Sequence, residues 1–236
     1  MNPLIGRIRE ELRASVDEKT LRSGQNFFRE KIIFYGVKTR VVDKIARKHW
    51  KEVNSLSKAK IFSVCEELLR SNLIEEAFLV SFWLPNLIDR LESSDIFVFK
   101  TWIERYINNW AKCDSFCNHT IGDLIPKYPE TVFEVKGWAK SSCRWLKRAA
   151  AVSLIVPARK GCFLSEVFEI SDILLTDEDD LVQKGYGWLL KEASKKHQKA
   201  VFDYVVRNKK VMLRTALRYA IELMSKELKV DAMIKD

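Results

Sequence analysis

Apolar residues return at intervals of three and four along almost the whole sequence, as in Leu4, Ile5, Ile8 and Leu12. This spacing gathers them on one face of an α-helix, whereas the period-two alternation of a half-buried strand is never sustained. Only 8 Gly and 5 Pro interrupt the pattern. Polar and Gly/Pro punctuation divides the chain into about a dozen segments. The sequence therefore predicts an all-α fold of short helices.

Three stretches resemble one another at a spacing that suits repeats of two helices. "LKRAAAV" around Arg148, "VQKGYGW" around Lys184 and "LRTALRY" around Arg214 each place small residues near a basic one, at separations of 36 and 30 residues. Stacked helix pairs of this length form curved solenoids. We expect one domain over residues 1–236, a HEAT-like helical-repeat solenoid (an ARM/HEAT-type superhelix) with a concave basic groove. Trp110 and Asp114 do not fit the register of these repeats.

The charge balance indicates a polyanionic partner. The chain has 41 Lys+Arg against 32 Asp+Glu, a formal charge of +9, and nine of the basic residues fall between Lys191 and Arg218 against two acids. A solvated outer face is the simpler explanation of such a run. A groove with these side chains would instead follow the phosphates of nucleic acid, the partner we favour over an anionic membrane surface.

The sequence lacks the signals that are typical of several other classes of protein. The longest apolar run, "AAAVSLIVPA", is shorter than a membrane span. The five cysteines are odd in number and lie inside helical patterns, so we expect a cytoplasmic protein with reduced thiols. Cys113, Cys117 and His119 do not have the spacing of a zinc site. No nucleotide-binding or hydrolase motif is present, and we expect no metal and no cofactor.

Trp110 and Asp114 stand one helical turn apart in "NNWAKCDSFCNH". If the helix is continuous, they share a face. The simpler explanation for Asp114 is a helix cap or an ion pair with a nearby lysine. The alternative is that an aromatic ring and a carboxylate together face a cation, or a positive charge that grows during a reaction.

Most of the seven tryptophans should belong to the core. We expect burial with a hydrogen-bonded indole nitrogen at five of them, namely Trp50, Trp83, Trp102, Trp138 and Trp145. Trp188 follows "GYG", and two glycines inside a helix imply a steric reason for keeping that helix thin. Arg148 precedes three alanines, so it either extends along a packed face or binds an anion.

Together, "NNWAKCDSF", "WLKRAAAVSL" and "QKGYGWLLKEASKKH" resemble the DNA alkylation repair family of AlkD-like glycosylases. The order and spacing agree along most of the chain, including the segment "FFREKIIFYGVKT" near its beginning. The resemblance implies HEAT-like repeats. It also implies base excision repair of duplex DNA, in which the N-glycosidic bond of cationic N3- or N7-alkylated purines is hydrolysed without flipping of the nucleotide.

The resemblance also implies roles for individual residues. Asp114, Trp110 and Trp188 match the catalytic cleft, where Asp114 would stabilise an oxocarbenium-like sugar and orient water. Arg148 matches an arginine that contacts the DNA backbone near the lesion. With the basic residues around it, the expected DNA contacts are Arg148, Phe27, Lys184, Lys112, Arg214 and Arg218. Double-stranded DNA with alkylated purines is then the partner of a monomer that is nucleoid-associated when on DNA.

Three positions depart from the family pattern. Ala111 stands where a second acid is common, Lys112 follows it, and Phe27 occupies a position where tyrosine is common. Asn108 or Asn109 would replace the lost helix cap, while Lys112 would weaken the negative field. Two other functions therefore stay open: a non-catalytic helical-repeat protein that binds damaged or distorted DNA, and a scaffold for an acidic protein.

Overall fold

The structure of this chain, a computed structural model, describes residues 2–234. Within that range every regular element is helical, and the one β-type contact is an isolated bridge between Ile33 and Leu73. The all-α prediction is confirmed. In chain order the α-helices are α1 (Pro3–Ala14), α2 (Glu18–Ser23), α3 (Thr39–Asn54), α4 (Lys58–Arg70), α5 (Ile74–Trp83), α6 (Asp95–Tyr106), α7 (Trp110–Phe116), α8 (Gly122–Lys127), α9 (Thr131–Trp138), α10 (Arg144–Ser153), α11 (Ile155–Arg159), α12 (Leu164–Ile173), α13 (Asp180–Asn208), α14 (Arg214–Ala220) and α15 (Lys226–Met233).

Shorter helical segments complete the chain. Gly24–Phe27 and Leu84–Arg90 are 3-10 helices, and Cys117–Ile121 is a single π-helical turn that continues directly from α7. Several helices begin at a side-chain cap, in which an oxygen accepts a backbone N–H of the first turn. Asp17 caps α2 in this way, and Asp179 caps α13 within the acidic stretch that punctuates the sequence.

The chain divides into two compact units. Unit 1 comprises Met1–Glu92 with Arg105–Phe116, and unit 2 comprises Ser93–Glu104 with Cys117–Asp236. Each unit has a buried apolar core of its own. The expectation of one domain over the whole chain stays a prediction.

Unit 1 is built around α5. This helix packs against α3, α4 and α7, and α1 packs on α3. The apolar stripe of α1 that begins the sequence is fully buried at Ile5, Ile8 and Leu12. Trp83 of α5 is buried as expected, and its indole nitrogen donates to the carbonyl of Ala46 at 2.9 Å. Its N–H is thereby satisfied inside the core.

Unit 2 is built around α13, which packs against α10, α11, α12 and α14. Gly187 explains one of the two glycines in "GYG". A Cβ there would lie 2.7 Å from the carbonyl oxygen of Ala216 and 2.7 Å from Cβ of Tyr219, so only glycine permits this approach of α13 to α14. Trp102, Trp138 and Trp145 are buried as expected, while Trp50 of unit 1 is half-buried.

A regular set of ion pairs shows how unit 2 is assembled. Four of them join side chains 33 to 35 positions apart, namely Lys100–Glu134, Lys136–Glu169, Arg144–Asp179 and Arg159–Glu192. A constant separation close to the length of a helix pair means that each pair is tied to the next one. The helical-repeat architecture is confirmed. The concave basic groove stays a prediction.

Residues 2–234 also show the molecule's features with respect to membrane spans, metal sites and cysteines. None of the helices within residues 2–234 combines the length and the apolar character that a bilayer crossing requires. The same residues bring no three His, Cys, Asp or Glu side chains into a metal-binding arrangement. All five cysteines are free thiols, and Cys113 and Cys117 are buried in α7 and the π-helical turn.

Candidate functional site

The helix α7 carries the tryptophan and the aspartate that the sequence singles out. It begins at Trp110 and is held in unit 1 by the buried side chains of Cys113 and Phe116. Trp110 and Asp114 are four residues apart in a continuous helix, and both side chains are half-buried. They therefore share a face that is partly open to a partner.

The indole of Trp110 is fixed by two consecutive phenylalanines. Its ring stacks on Phe28 with centroids 5.4 Å apart and an interplanar angle of 21°. Its nitrogen donates to the backbone carbonyl of Phe27 at 3.4 Å, and the Phe27 side chain is itself 71% exposed. An offset stack and a hydrogen bond together restrict both ring torsions. Phe28 was not among the residues that the sequence indicated, although the adjacent pair "FF" is a signal for it.

Lys112 is buried, although the sequence analysis expected its side chain to contact DNA. Its side chain is 1% exposed, and its ammonium donates to Asn72 Oδ1 at 2.6 Å, to the Asn72 carbonyl at 2.8 Å and to Asn108 Oδ1 at 3.1 Å. Burial lowers the pKa of Lys112 from 10.5 to about 8. We call Asn72, Asn108 and the Lys112 ammonium the asparagine cage.

The asparagine cage has two consequences for the site. Lys112 makes no ion pair with Asp114, because its donors are used by neutral oxygens. The ammonium is also buried rather than exposed at the surface, and a contact between Lys112 and DNA stays a prediction. The expected replacement cap is present, since Asn109 Oδ1 accepts the backbone N–H of Lys112 at 3.0 Å and closes the first turn of α7.

Arg148 in unit 2 is also buried, whereas an arginine that contacts the DNA backbone is expected at the surface. It lies in α10 with 5% of its surface exposed and donates to the carbonyl of Leu181, in the first turn of α13. A Cβ at Gly185, the first glycine of "GYG", would lie 3.5 Å from Arg148 Cγ, an ordinary van der Waals distance, so the arginine packs directly against α13. Arg148 therefore ties α10 to the helix that carries Trp188.

Trp188 pairs with an acid that the sequence analysis did not single out. Its indole nitrogen donates to Glu192 Oε1 at 3.3 Å, and Glu192 Oε2 forms ion pairs with Arg159 and Lys195, each at 2.7 Å. Burial would raise the pKa of Glu192, but the bonds from Lys195 and Arg159 outweigh it and the pKa is lowered. The signal was available, because Trp188 and Glu192 repeat the four-residue spacing of Trp110 and Asp114.

The remaining basic residues of the expected DNA-contacting set differ in their surroundings. Lys184 is paired with Asp180 at 2.7 Å, and Arg214 donates to the carbonyl of Met233 at 3.4 Å. Arg218 is exposed on α14. Within unit 1 Trp110 contacts Phe27 and lies one helical turn from Asp114, and within unit 2 Arg148 lies beside the helix of Trp188. That the two sets form one cleft stays a prediction.

Comparison with known proteins identifies the family. The sequence matches the family described as DNA alkylation repair enzyme over residues 8–224. The chain belongs to this family. Membership in the DNA alkylation repair enzyme family gives the protein a role in the repair of alkylated DNA, and DNA is its partner.

The fold of this chain is also found in a solved structure. A solved structure described as a predicted DNA alkylation repair enzyme from Enterococcus faecalis matches with a TM-score of 0.80 at 15% identity, over 90% of this chain and 98% of that chain. At this identity the similarity shows that the two chains share a fold. No curated protein sequence matches the chain.

Proposed function

We propose that this family member is a DNA glycosylase. It hydrolyses the N-glycosidic bond of cationic N3- or N7-alkylated purines in duplex DNA, without flipping of the damaged nucleotide, in base excision repair. One observation carries the assignment: α7 holds Trp110 and Asp114 on a half-exposed face while the adjacent Lys112 is turned into the asparagine cage. The ammonium of Lys112, two residues before Asp114, is thereby bound to Asn72 and Asn108.

The proposed reaction needs a carboxylate but no general acid. The bond between C1′ of the deoxyribose and the purine nitrogen breaks, and its electron pair goes to the purine, which loses its positive charge. Positive charge then develops on the sugar, and Asp114 stabilises it electrostatically. A water molecule oriented by Asp114 adds its oxygen to C1′ and gives up a proton to the carboxylate or to solvent.

The aromatic residues and Arg148 have supporting roles in this proposal. Trp110, held by Phe28, presents its ring to the developing cation, an interaction worth about 0.5 to 2 kcal/mol. Trp188 contributes a second aromatic contact. Arg148 acts as a positioning residue, because its bond to the Leu181 carbonyl fixes the helix that carries Trp188.

The remaining expected residues would contact DNA directly. Phe27, Lys184, Arg214 and Arg218 are the proposed contacts, and the three basic side chains among them would neutralise phosphates. A monomer suffices for this arrangement. We propose a cytoplasmic enzyme that is associated with the nucleoid when it is bound to DNA.

The direct test is release of 7-methylguanine from methylated duplex DNA by the purified protein. We expect release by the wild type and a loss of about 100-fold or more in Asp114→Asn, which keeps the shape of the side chain and removes its charge. Asp89→Asn is the matched control, since Asp89 is an exposed aspartate of the same unit outside α7.

The outcomes separate the functions. Equal release by the wild type and Asp114→Asn would remove Asp114 from the mechanism. Salt-sensitive binding of methylated duplex with no release by either protein would leave the non-catalytic DNA-binding function in its place. Absence of duplex binding at low salt would favour the scaffold.

A further inference from the structure

Unit 1 contains a pocket of about 400 Å³ between α3 and the end of α5. Its apolar wall is formed mainly by Trp50, Phe82 and Trp83, and its polar wall includes Asp43 and Arg47. Trp50 and Phe82 are half-buried, so both rings can be covered further by a partner. The volume is within the range of binding sites in proteins. We call it the α3–α5 pocket.

Contacts within unit 1 hold the walls of the α3–α5 pocket in place. The buried indole of Trp83 donates to the Ala46 carbonyl at 2.9 Å and so joins α5 to α3. Phe82 packs in a tilted arrangement on Phe78, with ring centroids 6.4 Å apart. The amide nitrogen of Asn86 donates to the Phe82 carbonyl at 2.8 Å. The pocket is therefore preformed, which reduces the entropic cost of binding.

The helix α3 presents a strongly basic surface beside this pocket. Positions three, four or seven residues apart share one side of a helix, so Arg40 and Arg47 lie on the same stripe as Trp50. Three lysines form the adjacent stripe. Like charges at these spacings repel one another, and a partner of opposite charge would relieve the repulsion. The exposed cations of α3 are Arg40, Lys44, Arg47, Lys48 and Lys51.

The chain itself neutralises two of these five cations. Arg47 pairs with Asp43 at 2.7 Å, and Lys48 pairs with Glu11 at 2.8 Å. Unpaired cations next to an apolar pocket complement a partner that combines acidic and apolar side chains. The cations of α3 that form no ion pair with any residue from 2 to 234 are Arg40, Lys44 and Lys51.

Duplex DNA complements the charge of this surface but not the α3–α5 pocket. The bases of a regular duplex are stacked and paired, and a base enters a protein pocket only after it has been unstacked. A flexible peptide has no such restriction. One of its side chains can fill an apolar pocket while the residues on either side contact the surface around it.

We propose that the α3–α5 pocket is a docking site for an acidic peptide segment of a partner protein, anchored by one phenylalanine or leucine side chain. The anchor packs against Trp50 and Phe82. The flanking carboxylates pair with the unpaired cations of α3. The site does not depend on glycosidic-bond cleavage, so it is present whether or not the proposed reaction takes place.

The test measures the binding of three short fluorescein-labelled peptides to the full-length protein by fluorescence anisotropy. The first peptide has one phenylalanine at the centre of a run of glutamates. The second replaces that phenylalanine by alanine, and the third replaces the glutamates by glutamines. We expect the first peptide to bind at least about tenfold more tightly than either of the others. Its affinity should fall as salt is added, because exposed charges are screened.

Variants in the apolar wall assign the anchor to the pocket. Trp50→Leu removes one aromatic ring and should weaken binding of the first peptide severalfold. Phe82→Leu removes the other ring and should have the same effect, which provides a second measurement if Trp50→Leu does not fold by circular dichroism. Phe97→Leu, at an exposed aromatic position of unit 2, is the control and should leave peptide binding unchanged.

Variants of the lysines assign the charge. We expect Lys44→Gln combined with Lys51→Gln to weaken binding of the first peptide by about tenfold and to reduce its salt dependence. Lys19→Gln combined with Lys60→Gln is the matched control, because both lysines are exposed in the same unit outside α3. Release of 7-methylguanine should not change in either double variant.

Each result supports the docking site or overturns it. Equal binding of the phenylalanine and alanine peptides would mean attraction by charge alone and would remove the pocket from the interaction. No binding of the first peptide at low salt would overturn the docking site, as would equal losses in the two double variants. If the α3 lysine variant binds the peptide normally but shows a smaller salt slope with duplex DNA, this surface binds DNA and the proposal is wrong.

Discussion

The ammonium of Lys112 lies 2.6 Å from the side-chain oxygen and 2.8 Å from the backbone carbonyl of Asn72, a residue forty positions earlier. Asn72 has a φ of +64°, in the left-handed region that asparagine adopts more readily than most residues. This turn between α4 and α5 presents both oxygens to one cation. The orientation of α7, and with it that of Trp110 and Asp114, is therefore fixed by a bond to a distant turn.

Replacement of Lys112 by methionine should destabilise unit 1 in a pH-dependent way. The change leaves buried oxygens of the asparagine cage without a donor, which costs on the order of 1 to 3 kcal/mol. The folded pKa of about 8 is below the ordinary 10.5. At a pH between these two pKa values, Lys112 carries a proton in the unfolded chain that it has lost in the folded protein. The stability of the wild type relative to Lys112→Met therefore rises as the pH increases through this range.

Urea unfolding at pH 7 and at pH 9.5 measures this difference. We expect the advantage of the wild type over Lys112→Met to be larger at pH 9.5. Lys44→Met, at an exposed position of α3, is the control and should show no such trend. A difference that stays constant with pH would contradict the lowered pKa.

Replacement of Phe28 by leucine should loosen Trp110 without unfolding the protein. The stacked contact is worth about 0.5 to 1.5 kcal/mol beyond the area that it buries. We therefore expect the turnover of methylated DNA to fall by a factor of about 2 to 12, much less than in Asp114→Asn. The near-ultraviolet circular dichroism of the indoles should change as well. Phe97→Leu, at an exposed position of α6, should alter neither measurement.

Two glycine-to-alanine changes should have opposite effects. Gly187→Ala forces a Cβ to within 2.7 Å of a backbone carbonyl, so α13 and α14 must move apart and the midpoint of thermal unfolding should fall by several degrees. Gly137→Ala meets nothing within 4 Å on α9 and should stabilise the protein by about 0.5 to 1 kcal/mol. A neutral Gly187→Ala would show that these helices are not packed this closely.

Arg218 provides a test of the proposed DNA contacts. Arg218→Gln should reduce the slope of log affinity against log salt by about one, with no change in thermal stability, because the side chain is exposed. Arg7→Gln is the control, since Arg7 is bound to Glu52 at 2.6 Å and is not assigned to DNA. An unchanged slope in Arg218→Gln would remove this residue from the interface.

Local sequence patterns predicted the helices of this chain and one close approach between two of them. Period and punctuation predicted the helices, and the two glycines of "GYG" predicted a close approach that Gly187 confirms. The positions of Lys112 and Glu75 depend instead on partners about forty residues away, Asn72 in one case and the backbone of residues 35–37 in the other. A helix of seven residues such as α7 has too few apolar positions to indicate which polar side chains turn inward.

The ion pairs that join residues 33 to 35 positions apart have a mechanical consequence for unit 2. Each bridge reaches only the following layer, so no single pair ties the first layer to the last. Tension applied at the carboxyl end should therefore peel the layers away in sequence. In a nearest-neighbour array of this kind, the strongest interface between layers determines where the peeling pauses.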